Sequence, residues 1–87
     1  MKYLRYFLYG PDLPETVIES FQRKVIRCGK PFTSSDANEI ADFARGLTRS
    51  HGLDTYKAPG EFYKLALDCQ LDTEDAGVIR QSVMQVR

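Results

Sequence analysis

Apolar residues recur along most of this chain at the three- and four-residue spacing of a helix. Val17, Ile18, Phe21, Val25 and Cys28 make the first stripe. Asp12 and Glu15 stand before it, three apart, the spacing of a capping box. Cys28-Gly29-Lys30-Pro31 ends it, with Gly able to take a left-handed cap and Pro unable to continue. A second stripe, Ile40, Phe43, Ala44 and Leu47, follows the N-cap candidates Ser34, Ser35 and Asp36. Asp36 and Glu39 again have box spacing, and His51-Gly52 stops the helix. Gly46 inside it costs about 1 kcal/mol relative to Ala, which a closely approaching neighbour helix would explain.

Residues 53–58 read as a loop. Pro59 suits the first turn of a third helix, whose inner face is Phe62, Leu65, Ala66 and Cys69. Asp72 or Thr73 caps a fourth helix with Ile79, Val83 and Val86 inward. Residues 2–9 follow another rule. Leu4, Tyr6 and Leu8 alternate with Tyr3, Arg5, Phe7 and Tyr9, which suits a strand, and Gly10-Pro11 ends it. The pattern therefore predicts a mostly α fold, a compact bundle of about four helices with a short N-terminal strand or extended segment. The alternative is a small α+β domain in which residues 82–87 form a strand paired with residues 2–9.

Eighty-seven residues make a single domain, 1–87, because a second core would not fit. Twelve Lys and Arg balance twelve Asp and Glu, so the chain lacks the basic excess usual in a dedicated DNA-binding domain. Much of the charge is helix chemistry. Acids precede bases in both early helices, as the helix dipole favours, with Glu19 before Arg23 and Asp42 before Arg45 at pairing distance. No apolar run is long enough for a membrane span, and Arg5 interrupts any signal-peptide core. The expected location is the cytoplasm, where Cys28 and Cys69 stay reduced and serve packing.

The chemistry-bearing residues are sparse. His51 is the lone histidine, and with two distant cysteines it makes a meagre catalytic or metal set. Asp68, Asp72, Glu74 and Asp75 cluster without the spacing or glycine of a calcium loop. No phosphate-binding loop is present. Tyr3, Tyr6 and Tyr9 lack the neighbouring strands of an RNA-stacking sheet. Residues 69–73 could join a helix-turn-helix, but the last helix is too poor in bases to read DNA. No catalytic, cofactor or metal site is expected, and the chain is not expected to be an enzyme.

A binding role is the default. The expected partner is another protein, which the chain would serve as regulator, adaptor or inhibitor. The surface would combine Tyr56 and Tyr63, which flank a Pro-Gly turn, with Arg23, Lys24, Arg27 and Lys30. The alternative is nucleic acid bound through Arg23, Lys24, Arg27, Lys30, Arg45 and Arg49, if the two basic groups converge. Self-association as an assembly subunit is the third.

Overall fold

A computed structural model describes residues 13–85, and the segment expected as a strand, residues 2–9, lies outside them. The described chain is a bundle of four helices: α1, Glu15–Arg27; α2, Ser34–Ser50; α3, Ala58–Asp68; and α4, Thr73–Met84. It contains no strand among the described residues. Helix α4 runs to Met84, where the alternative α+β fold begins a strand at residue 82, and residues 86–87, Val86 among them, lie outside the description. None of these helices is long and apolar enough to cross a membrane.

The buried side chains form one cluster. Val17, Ile18 and Phe21 enter from α1, Ile40, Ala41 and Ala44 from α2, Phe62, Leu65 and Ala66 from α3, and Ala76, Ile79 and Val83 from α4. Helix α4 lies against both α2 and α3, while α1 touches α2 more sparsely. The rings of Phe21 and Phe62 meet at 5.5 Å between centroids, tilted by 44°, and tie α1 to α3.

Helix α2 shows why one expected stripe shifts. Its buried residues are Ala37, Ile40, Ala41, Ala44 and Thr48, while Phe43 and Leu47 are only half-buried. Small side chains at helical spacing let α4 approach closely, and the Ser82 hydroxyl reaches the Ala41 carbonyl at 3.4 Å. Thr48 is buried because its hydroxyl donates to the Ala44 carbonyl at 2.8 Å, leaving no orphaned polar group. Gly46 has another setting from the one expected. It is exposed, and a Cβ there would meet nothing, so no neighbour helix explains it.

The caps also differ in detail. Helix α1 is entered through Pro14, which makes no side-chain cap, and Asp12 of the expected Asp12–Glu15 box lies outside the described residues. The box of α2 is Thr33 with Asp36, not Asp36 with Glu39. The Thr33 hydroxyl accepts from the Asp36 N–H at 3.2 Å, and the Asp36 carboxylate accepts from the Thr33 N–H at 2.9 Å. Asp72 caps α4 as expected, accepting from the Asp75 N–H at 2.8 Å. Pro59 falls in the first turn of α3, where its missing N–H costs nothing.

A candidate docking groove beside α1

Helix α1 changes character along its length. Val17, Ile18 and Phe21 are fully buried, Val25 is half-buried, and Ile26 is 68% exposed. Leaving an isoleucine in water forgoes about 1.5–3 kcal/mol of burial free energy. Ile26 stands at the lip of a groove of about 400 Å³ between the end of α1 and the α3–α4 turn. Val25, Cys28, Phe32 and Leu71 supply its apolar surface, and Lys30, Asp72 and Asp75 its charges. A smaller hollow of about 230 Å³ extends it towards Gln22 and Asp68, sharing Val25, Ile26, Cys69 and Gln70. The combined space is within the size range of ligand and side-chain pockets.

The α3–α4 turn is held by a Schellman motif. The Leu71 N–H reaches the Ala66 carbonyl at 3.1 Å, and the Gln70 N–H reaches that of Leu67 at 3.0 Å. Gln70 takes the left-handed conformation, φ 74°, which glycine usually fills. A side chain held there costs about 1–2 kcal/mol, and such strain gathers at functional sites.

Both cysteines border the groove. The Cys28 thiol lies 3.6 Å from the Lys24 carbonyl in donor geometry. Burial, and then the Asp36 and Glu39 carboxylates, push that thiol above its ordinary range against the pull of Lys24. That direction lowers the fraction of reactive thiolate. Burial also raises the Asp75 carboxyl, with further contributions from Asp72 and Glu74. No group of three or more His, Cys, Asp or Glu among the described residues could hold a metal ion.

The expected basic surface is divided between two faces. Arg23, Lys24 and Arg27 border a cleft with Ser20 and Phe43, whereas Lys30 faces the groove. Lys24 is committed across the helix pair: its ammonium meets the Glu39 carboxylate at 2.7 Å and lies 5.7 Å from the Phe43 ring centre. Arg45 meets Asp42 at 2.8 Å, as its spacing implied. The Glu19–Arg23 pair does not form, and neither Arg23 nor Arg27 has an ion-pair partner among the described residues. No described contact joins Arg45 or Arg49 to the α1 group. His51 is the exposed C-cap residue of α2.

The two tyrosines also part company. Tyr56 is 96% exposed, in a turn where its N–H donates to the Asp54 carboxylate at 2.8 Å. Tyr63 is half-buried on α3, and the Arg80 guanidinium lies 5.5 Å from its ring centre. Ile26 was missed in sequence because it lies off the apolar stripe, and the groove because it joins residues from distant segments. The one local signal was the aliphatic Ile26 between charged Lys24 and Arg27. Comparisons with protein-family models, with curated proteins and with solved structures find nothing that matches this chain.

Proposed function

We propose that this chain is a non-enzymatic interaction module that acts by docking on another protein, as a regulator, adaptor or inhibitor. The docking surface is the C-terminal half of α1 and the groove beside it. The observation that carries this is Ile26, an aliphatic side chain 68% exposed where it continues into a groove of mixed apolar and charged lining. A scattered surface isoleucine needs no explanation, but one joined to a concave surface that combines apolar and charged side chains has the anatomy of an interface. Lys30 supplies a rim charge at the groove, while Arg23 and Arg27 lie on the neighbouring cleft with Phe43. Tyr56, bare on both faces, is a second contact candidate, while Tyr63 is already engaged with Arg80. The working compartment in this proposal is the cytoplasm, where both thiols stay reduced.

A nucleic-acid role through Arg23, Lys24, Arg27, Lys30, Arg45 and Arg49 is less favoured. Two of those six cations already face carboxylates, Lys24 on Glu39 and Arg45 on Asp42. The test is a tagged pull-down of the full chain from host lysate, with and without nuclease, repeated with Ile26→Gln. Glutamine keeps helix propensity and removes the apolar surface. The expected result is a stoichiometric protein that survives nuclease and is lost from the variant, while the circular dichroism spectrum is unchanged. A partner set that disappears with nuclease, or that Ile26→Gln retains in full, overturns the assignment.

A further inference from the structure

We propose that the groove beside α1 receives a basic amphipathic segment of the partner protein. A bulky apolar side chain of that segment enters between Val25, Ile26, Phe32 and Leu71. A Lys or Arg next to it meets Asp72 and Asp75. This rests on the docking role proposed above and adds the chemistry of the partner.

The apolar half of the inference follows from the groove's surface, already given. The charged half follows from what surrounds that surface. Asp72 and Asp75 face the groove together, and Glu74 is close enough to act on Asp75. No Lys or Arg forms an ion pair with Asp72 or Asp75 among the described residues. Lys30 borders the same groove without pairing with either. Elsewhere the chain places bases on acids: Lys24 on Glu39, Arg45 on Asp42, and Lys64 on Glu61 at 3.6 Å. At the groove, burial raises the Asp75 carboxyl, and the crowding Asp72 and Glu74 carboxylates raise it further. A cation from a partner relieves that repulsion, whereas an acidic partner adds to it. The geometry thus selects the partner's sign as well as its hydrophobicity.

The experiment uses the full chain and two synthetic amphipathic peptides of equal length. Both carry the same Leu and Phe positions; one has Lys at every polar position and the other Glu. Binding is followed by amide NMR. The Lys peptide is expected to shift the amides of residues 25–32 and 69–75, and the Glu peptide to leave them in place. Ile26→Gln should weaken the Lys peptide about tenfold through lost apolar contact. Asp72→Asn with Asp75→Asn should weaken it roughly threefold to tenfold, for two partly exposed pairs. Asn caps a helix as well as Asp does, so this variant keeps α4. Equal binding of the Glu peptide, or no effect of the two Asn substitutions, overturns the basic chemistry while the docking groove stands. Binding of neither peptide, with intact spectra, overturns both. Shifts at the same amides that grow with protein concentration alone show a second copy in the groove and also overturn the inference.

Discussion

Helices α2 and α3 end in the same way, with different residues at the turning point. Each closes in a Schellman motif. After α2, the Leu53 N–H bonds the Thr48 carbonyl at 3.0 Å and the Gly52 N–H bonds that of Arg49 at 3.2 Å. After α3, Leu71 and Gln70 make the matching bonds to Ala66 and Leu67. Both turning residues are left-handed, Gly52 at φ 60° and Gln70 at φ 74°. Glycine takes that conformation freely, while glutamine carries a Cβ that resists it. No hydrogen bond of the Gln70 side chain offsets the cost among the described residues. One end is therefore built for stability. The other holds strain, and it is the end that borders the groove. Strained backbone persists where surrounding packing imposes it, and it concentrates where function requires a particular surface.

The packing that imposes it is Leu71, whose replacement gives the largest expected effect. Leu71 follows the strained residue and is buried in the core cluster, whereas Leu53 follows the glycine and is half-buried. Leu71→Ala should cost about 2–4 kcal/mol, the range for deleting a core leucine. Leu53→Ala should cost markedly less. Urea unfolding of the two variants checks this, with the slope of the transition held equal. Equal losses would mean that the two motifs are anchored alike and that Leu71 does not secure the strained turn.

The next effect is smaller and has the opposite origin. A Cβ at Gly52 would meet nothing, so Gly52→Ala tests conformation free of any clash. The expected loss is about 1 kcal/mol, from forcing alanine into the left-handed region. A thermal melt reads it as a fall in Tm of several degrees for a chain of this size. An unchanged melting temperature would mean that the left-handed penalty is small in this fold, and the case for strain at Gln70 would weaken with it.

This pair of turns also shows what was legible in the sequence. The end of α2 was readable because Gly52 announces it, and the start of α4 because Asp72 can cap. The end of α3 carries neither Gly nor Pro, so only the fading of the apolar stripe after Cys69 marked it. The inner face of α2 was displaced for a related reason. Apolar size pointed to Phe43 and Leu47, but burial went to Ala37, Ala41 and Thr48, where smallness lets α4 close in. Periodicity reports which residues are apolar, not which faces find partners. The groove was the least legible part, since Ile26 and Leu71 lie far apart in the chain and meet only once α1 rests beside the α3–α4 turn. The basic cluster at residues 23–30 was legible as composition, yet its division between two faces depends on how α1 rolls against α2.

The smallest effect separates stability from function at the strained turn. Gln70→Gly removes the Cβ and should stabilise the fold by at most about 1 kcal/mol, because glycine also gains freedom in the unfolded chain. Stabilising substitutions are common and often neutral, so the binding measurement, not the gain in stability, ties the turn to docking. Gln70 borders both parts of the groove, so its amide is positioned to meet a docked segment. The variant should therefore melt higher than the parent and bind the Lys peptide more weakly. Thermal melting and peptide titration on the same sample check both halves. A higher melting point with unchanged affinity would leave the strain real but unconnected to docking. A lower melting point would mean that the glutamine side chain stabilises the turn itself, and the contrast between the two helix ends would then be one of sequence alone.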